Sequence, residues 1–162
     1  NPELFAESIE YAKQGGIVDF TTSTNEKFLG EGEVKCSKAL KILLDRGASQ
    51  ANITFSSDGQ GSMPEFDESG KFVALGIGKV NSLYKEVKDA ILKENIPMDI
   101  ALRVITANPA DALKLSNKGY IKKERDADIV ILDKNTLEIE TVIAMGKTMV
   151  SKGKPVVKGT FE

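Results

Sequence analysis

The sequence contains no histidine, and this absence restricts its possible chemistry more than any other feature of the composition. Histidine is the base of the Ser-His-Asp and Cys-His catalytic systems, and it supplies most ligands of imidazole-based zinc sites. The one cysteine, Cys36, can form neither an internal disulfide nor a thiolate cage for a metal. Any chemistry of this chain must therefore use carboxylates, hydroxyls, lysine, arginine or backbone groups, in a site completed by something else.

Long apolar runs and charge clusters are missing as well. No apolar stretch approaches the roughly 18 residues that span a bilayer, so no membrane partner is predicted. The 22 basic and 24 acidic side chains are scattered, with a net charge of −2, so no nucleic-acid partner is predicted either. The lone cysteine and the absence of a leader favour a cytoplasmic location. The opening Asn1-Pro2, without a Met, is typical of the interior of a longer chain.

What remains is a chain of 162 residues, 41% hydrophobic, which can bury a core. Its first half alternates helical and strand patterns. Helical spacing from Leu4 to Ala12 and from about Val34 to Asp45 is followed each time by a short apolar run, Ile17 to Thr22 and then Ile53 to Phe55. This order predicts two parallel strands with helices packed outside them.

The stretch from Ser56 to Ser62 directly follows the second predicted strand and places Asp58 at its carboxyl end. In parallel α/β folds the loops at that end build the active site, so Asp58 is a candidate functional acid. Asp-Gly and Gly-Ser are also ordinary turn sequences, and that interpretation stays open here. From Gln60 to Val80 we predict a long active-site loop with a turn at Asp67 to Gly70.

The sequence after Val80 has helical patterns first and strand patterns after them. Helical patterns cover Ser82 to Asn95, Asp99 to Thr106 and Asn108 to about Leu115. After Gly119 short apolar runs alternate with turn sequences, which predicts antiparallel strands and hairpins, including runs at Ile121 and Val156-Val157. We place a subdomain boundary near Lys118.

Several of these segments together resemble amidohydrolase-superfamily metalloenzymes, and the isoaspartyl (β-aspartyl) dipeptidase family in particular. The resemblance spans essentially all of the chain and is carried by Ser56 to Ser62, Thr106 to Ala110, Asp126 to Asp133, Val142 to Lys147 and Val157 to Glu162. It implies an α/β fold that consists of the last βα units of a (β/α)8 barrel plus a small antiparallel β subdomain. Residues 1–117 would be the barrel part and residues 118–162 strands of the small β domain.

The resemblance also implies roles for two residues. Asp58 would be both catalytic and a metal ligand: it would bind one of two zinc ions and act as general base and then general acid, while a metal-bound hydroxide attacks the β-aspartyl amide bond of a dipeptide. Ser62 would contact the aspartyl end of the substrate. The family assembles into dimers and larger assemblies, which implies a homo-oligomer.

This sequence departs from the family pattern because the remaining metal ligands, several histidines and a carbamylated lysine, have no counterpart in it. We therefore expect the carboxyl-terminal part of a longer enzyme, with zinc absent or weakly bound and no activity for this part alone. Two alternatives remain open. One is another amidohydrolase that acts on a cyclic amide or a peptide, and the other is a non-enzymatic α/β interaction module.

Overall fold

A computed structural model describes residues 2–23, 34–67 and 69–159, and these divide into two compact units, residues 1–109 and 110–162. The sequence also predicts a polar, glycine-containing loop from Ser23 to Glu33, and of this range only Ser23 lies within the described residues. The helices are α1 (Pro2–Lys13), α2 (Cys36–Asp45), α3 (Ser82–Leu92), α4 (Met98–Arg103) and α5 (Ala107–Ala112). The strands are β1 (Val18–Thr21), β2 (Ile53–Ser56), β3 (Ser62–Phe66), β4 (Phe72–Ile77), β5 (Ile129–Leu132), β6 (Ile139–Ala144), β7 (Lys147–Ser151) and β8 (Lys154–Pro155).

Strands β1 and β2 pair in parallel, as the alternation of helix and strand predicts, with Val18 opposite Ile53 and Thr21 opposite Ser56. Because side chains alternate along a strand, the pair has two different faces. Val18, Ile53 and Phe55 belong to the apolar core. The opposite face of the pair is polar, with Asp19 on β1 hydrogen-bonded to hydroxyl groups of β2.

Helices α2 and α3 contribute to the core that covers the apolar face of β1 and β2. Both are amphipathic, and each buries the side that faces the core. The fully buried large side chains of this core include Leu40, Leu43, Ile53, Val87 and Val104. Burying a side chain of this size contributes about 1.5–3 kcal/mol of transfer free energy, so this cluster is the main source of stability in residues 1–109.

A buried cluster of charges joins α2 to α3. Glu86 on α3 is 6% exposed, and its Oε2 accepts the backbone N–H of Ser37 at 2.8 Å, in the first turn of α2. Lys35, which precedes α2, lies 3.3 Å from the Glu86 carboxylate and 2.5 Å from that of Asp89. Glu86 thus caps the N-terminus of α2, because the N-cap residue of this helix makes no side-chain capping bond itself.

Asn108, on α5, fixes the start of β2. Its side-chain nitrogen donates to the carbonyl oxygens of Gln50 and Ile53, at 2.6 and 2.7 Å, and the residue is 2% exposed. Backbone carbonyls buried without a donor are costly, so this one amide stabilises the entry into β2. The predicted helical start at Asn108-Pro109 lies one residue inside the observed α5.

The prediction of a long loop from Gln60 to Val80 is wrong. β3 and β4 form an antiparallel hairpin there, with Ser62 opposite Ile77 and Phe66 opposite Phe72. β4 is apolar but exposed along both faces, so it lacks the alternation that identifies a half-buried strand. The turn predicted at Asp67 to Gly70 is present at the hairpin tip, and hydrogen bonds from Ser69 and Lys71 lower the pKa of Asp67.

Residues 110–162 contain a four-stranded antiparallel sheet in the order β5-β6-β7-β8, which confirms the predicted hairpins. The β6–β7 and β7–β8 turns place Met145-Gly146 and Lys152-Gly153 at positive φ, as tight two-residue hairpin turns require. Two local predictions are wrong. Ile121 is 80% exposed and lies in no strand, and the last described strand is Lys154–Pro155, beyond which the Val156 N–H still bonds to β7, at the Met149 carbonyl.

The parallel helix-covered pair and the antiparallel sheet together confirm the predicted α/β fold class. The assignment of residues 1–117 and 118–162 to two domains stays a prediction. No helix in the described part of the chain is long and apolar enough to cross a membrane.

The charge cluster makes stability depend on pH. Burial acts to raise the pKa of Asp89, but hydrogen bonds from Lys35 and Lys93 outweigh it, so the net pKa is lowered. The folded pKa thus lies below the unfolded value of about 3.9, and this stabilisation is present above that pH and lost as pH falls through the folded pKa. Lys35→Met should lower the free energy of unfolding at pH 7 by about 3 kcal/mol, since it removes the cation that the buried carboxylates of Glu86 and Asp89 share.

Urea unfolding at pH 7 and at pH 3.5 measures this effect, and the difference between wild type and Lys35→Met should shrink at the lower pH. Lys41→Met is the matched control, since Lys41 pairs with the exposed Asp45 on the same helix. It should cost about 0.5 kcal/mol or less. An equal cost for the two variants at pH 7 would contradict the role given to Lys35.

Candidate functional site at the end of strand β2

Asp58 lies two residues beyond β2, on the exposed turn that leads into β3. Its backbone is in the left-handed region with φ of 46°, and Gln60 follows with φ of 69°. Non-glycine residues adopt this conformation uncommonly, and asparagine and aspartate tolerate it best. The turn therefore places Asp58 at the end of β2 where parallel α/β folds carry their functional groups.

The base of the β3–β4 hairpin closes onto this turn through three backbone hydrogen bonds. Gly61 donates its N–H to the carbonyl oxygen of Asp58 at 3.0 Å. Gly78, just beyond β4, donates to the carbonyl of Gly61 at 2.9 Å and accepts from Gln60 at 2.9 Å. The hairpin and the Asp58 turn are thus one hydrogen-bonded unit.

Two glycines make the close approach possible. A Cβ atom on Gly78 would lie 2.5 Å from the carbonyl oxygen of Asp58, and one on Gly61 would lie 2.8 Å from its Oδ1. Real Cβ atoms do not come so near to a backbone oxygen, so any side chain at Gly78 would push the turn away. The missing side chains of Gly61 and Gly78 thus allow the backbone to pack tightly beside Asp58.

The end of β2 is anchored to its neighbours by hydroxyl groups. The Ser56 carbonyl oxygen accepts the Thr22 N–H at 2.7 Å and the Thr22 hydroxyl at 3.1 Å. The Thr22 hydroxyl also lies 2.7 Å from that of Ser82, the first residue of α3. The chain that carries Asp58 therefore leaves a point fixed by both β1 and α3.

Ser62, the predicted substrate contact, is the first residue of β3 and is exposed. It follows directly after Gly61, so the same turn that carries Asp58 positions it. The structure places Asp58 on the turn and Ser62 directly after it, at the base of the hairpin that three backbone hydrogen bonds hold. The role of each residue stays a prediction.

Asp19 is the polar residue of this region that the sequence patterns do not single out. It lies in the middle of β1, and its carboxylate accepts hydrogen bonds from the Thr54 and Ser56 hydroxyls of β2. An acidic residue between the apolar Val18 and Phe20 was the available signal.

A groove of about 1080 Å3 runs along α1 and β1, and Asp19 and Thr21 line part of it. Asp58 and Ser62 do not line this groove. Among the described strands β1 pairs only with β2, so the groove follows the open edge of the pair. It is therefore a feature of that edge and not the Asp58 site.

As a metal site, the described residues are incomplete. An exposed carboxylate at a strand end suits one position around a divalent metal, but zinc takes about four ligands. No three of the aspartate, glutamate and cysteine side chains in the described ranges lie close enough together to hold an ion. Asp58 can serve as one ligand, and any other donors would have to come from outside these residues.

The chain belongs to the amidohydrolase family, whose family model matches residues 5–160. Among solved structures it is similar to a β-aspartyl dipeptidase from the thermophilic Fervidobacterium islandicum AW-1, solved in complex with the dipeptide β-Asp-Leu. That structure is 34% identical, superposes with a TM-score of 0.79, and is matched over 98% of this chain and 40% of its own. A second structure of β-aspartyl dipeptidase from that organism is 30% identical, with a TM-score of 0.77, over 99% of this chain and 38% of its own.

Adenine deaminase 1 of Carboxydothermus hydrogenoformans is 27% identical over 129 residues, which are 76% of this chain and 21% of that protein. This chain thus spans about two fifths of the dipeptidase structures and about a fifth of the deaminase. The matches confirm the predicted resemblance to the amidohydrolase superfamily and its β-aspartyl dipeptidases, and with it the (β/α)8 fold class.

The contact between Gly78 and Asp58 gives a direct test of the site geometry. Gly78→Ala should break the hydrogen bonds at the base of the hairpin, because its Cβ would overlap the Asp58 carbonyl. Amide hydrogen exchange at Gln60, Gly61 and residue 78 should become at least about tenfold faster, the equivalent of about 1.4 kcal/mol.

Gly76→Ala is the control, since the nearest atom to its Cβ would be the flexible Glu65 carboxylate at 3.1 Å. Its exchange rates at the same amides should stay near those of the wild type. Equal rates in the two variants would show that the Asp58 turn is not held against Gly78.

Proposed function

We propose that this chain is part of a zinc-dependent isoaspartyl dipeptidase, which hydrolyses the β-aspartyl amide bond of dipeptides. The observation that carries the proposal is the similarity over nearly the whole chain to a β-aspartyl dipeptidase structure holding β-Asp-Leu. The position of Asp58 supports it, because an exposed carboxylate at the end of a parallel strand is where an α/β hydrolase carries its acid and base groups.

Asp58 is the proton carrier in this proposal. Water adds to the amide carbonyl carbon, and the Asp58 carboxylate accepts the proton that the water loses. The carboxylic acid so formed then donates this proton to the amide nitrogen as the C–N bond breaks, which releases aspartate and the second amino acid. Asp58 ends in its starting state, so one carboxylate serves as base and then as acid.

A binuclear zinc centre is the cofactor in this proposal, with Asp58 as one ligand. Bound zinc would lower the pKa of water and polarise the carbonyl group. Ser62 would donate its hydroxyl hydrogen to the substrate's carboxylate, which a neutral donor can do without adding charge. Because the other ligands would lie elsewhere, these 162 residues alone would be inactive.

The proposed setting is the cytoplasm, with a dipeptide as the small-molecule partner and neither nucleic acid nor membrane. The single cysteine and the scattered charges support this setting.

Replacement of Asp58 in the full-length protein tests its role. Asp58→Asn should lower kcat for β-Asp-Leu by at least a hundredfold, since a positioned acid–base group contributes about 10²–10⁴ in rate. Glu65→Gln is the control, because it changes an exposed carboxylate on the neighbouring strand β3, and its kcat should stay near that of the wild type. Turnover by Asp58→Asn within about tenfold of the wild type, about 1.4 kcal/mol, would rule out a proton-carrying role.

The wild-type protein should be assayed with β-Asp-Leu, a hydantoin and adenine side by side. The hydantoin represents the cyclic-amide alternative, and adenine is included because of the similarity to an adenine deaminase. Preference for either over the dipeptide would move the assignment to another amidohydrolase. If the wild type turned over none of the three compounds, the result would favour a non-enzymatic interaction module.

We also propose that the protein is a homo-oligomer whose copies meet at the β3–β4 hairpin. A hairpin of two strands with both faces in water is at best marginally stable, so it needs a covering surface. Its large apolar side chains are 45–63% exposed: Phe66, Phe72, Val73, Leu75 and Ile77. Together they offer on the order of 500 Å2 per copy, so two copies would bury about 1,000 Å2, which is near the minimum for a specific interface.

Light scattering during gel filtration of the full-length protein tests the assembly. Val73→Lys combined with Leu75→Lys should reduce the molar mass at least twofold, because it would place lysines in the proposed contact. Val130→Lys combined with Ile131→Lys is the matched control, since these residues of β5 are also about half exposed. An unchanged mass in the hairpin variant would show that the hairpin is not the interface.

A further inference from the structure

The Asp19 carboxylate joins the two parallel strands by side-chain hydrogen bonds. Its Oδ1 accepts the Thr54 hydroxyl at 2.7 Å, and its Oδ2 accepts the Ser56 hydroxyl at 2.5 Å. Both donors belong to β2, which ends at Ser56. One side chain of β1 therefore holds two successive polar-face residues of β2, the strand that leads to Asp58.

A carboxylate suits this position because both donors are hydroxyl groups. Each oxygen of an ionised carboxylate accepts hydrogen bonds, so both hydroxyls can point at Asp19 at once. Hydrogen bonds to an ionised acceptor are about twice as strong as neutral ones. Thr54 is buried, 6% exposed, so its hydroxyl depends on Asp19, with the Val18 carbonyl at 3.5 Å as a weaker acceptor.

Ser56 is the point at which this contact reaches the candidate site. Its side chain is held by Asp19, and its carbonyl oxygen is held by the N–H and the hydroxyl of Thr22. Because Ser56 is held through both its side chain and its backbone, the position from which the next residues leave the strand is fixed. Asp58 is two residues further on, and a displacement of about 1 Å in a reacting group can cost a hundredfold in rate.

We infer that Asp19 is a positioning residue of this enzyme, which acts through Ser56 to hold the Asp58 turn in its reactive arrangement. The expected effect on the reaction rate rests on the proposed function, whereas the expected effect on the Asp58 turn rests on the contacts between β1 and β2. It predicts that loss of the Asp19 carboxylate affects the rate of the chemical step more than substrate binding.

The kinetic test uses Asp19→Ala and Asp19→Asn in the full-length protein, with β-Asp-Leu as substrate. Asp19→Ala should lower kcat about tenfold or more while KM stays within about twofold. Asp19→Asn should restore most of kcat, because an amide can accept from one hydroxyl and donate to the other. Asp45→Ala, at the exposed end of α2, is the control and should match the wild type.

A second measurement separates this inference from the proposed function. The backbone amide chemical shifts of Gly59, Gln60 and Gly61 should change in Asp19→Ala and return toward wild type in Asp19→Asn, whatever substrate the protein acts on. If the wild type does not hydrolyse the dipeptide but these shifts change, the proposed function fails and the positioning role stands. Unchanged shifts, or a KM that rises as much as kcat falls, would overturn the inference.

Discussion

The buried carboxylate of Glu86 is the constraint on which the arrangement of residues 1–109 depends. It is almost fully removed from water, so it must be paired, and its partners are the Lys35 ammonium group and the Ser37 backbone N–H at the start of α2. These partners exist only when α2 and α3 lie side by side in one register. Apolar contacts between the two helices survive a small sliding of one helix along the other, whereas the contacts of Glu86 do not. Glu86 therefore fixes the relative position of α2 and α3 that the apolar core stabilises.

That packing determines where β2 ends. The same two helices cover the apolar face of β1 and β2, and Ser82 at the start of α3 contacts Thr22 at the end of β1. The loop that carries Asp58 then leaves the end of β2, where the Ser56 carbonyl is held by the Thr22 hydroxyl, which in turn contacts the Ser82 hydroxyl. A catalytic group needs this support, because a loop alone cannot keep a carboxylate within a fraction of an ångström of its reactive position.

The Asp58 turn combines a strained conformation with tight contacts. Asp58 and Gln60 both have positive φ, and Gly61 and Gly78 pack against Asp58 without room for a side chain. Such backbone strain persists only where the surrounding structure enforces it, and it concentrates at functional sites. The hairpin that follows exposes apolar side chains on both faces, so the same region holds the Asp58 turn and carries a large exposed apolar surface.

Much of this could be predicted from local patterns. The periodicity around Leu40 and Val87 predicts their helices, the β-branched runs predict β1 and β2, and the position of Asp58 after a strand identifies the candidate acid. The hairpin was missed because its strands are not half-buried, and because Pro64 in β3 and Gly76 in β4 are residues that strands disfavour. Asp19 was missed because a charged residue in a short strand shows no partner in the sequence.

The sequence by itself determined the types of the elements, their order, the resemblance to amidohydrolases and the place of Asp58 at a strand end. Each of these depends on residues close together in the chain. Only the tertiary structure decided that Glu86 caps a helix 49 residues before it and that Asp19 holds hydroxyls 35 and 37 residues after it. Such pairs depend on the register between packed elements, and no local period records that register.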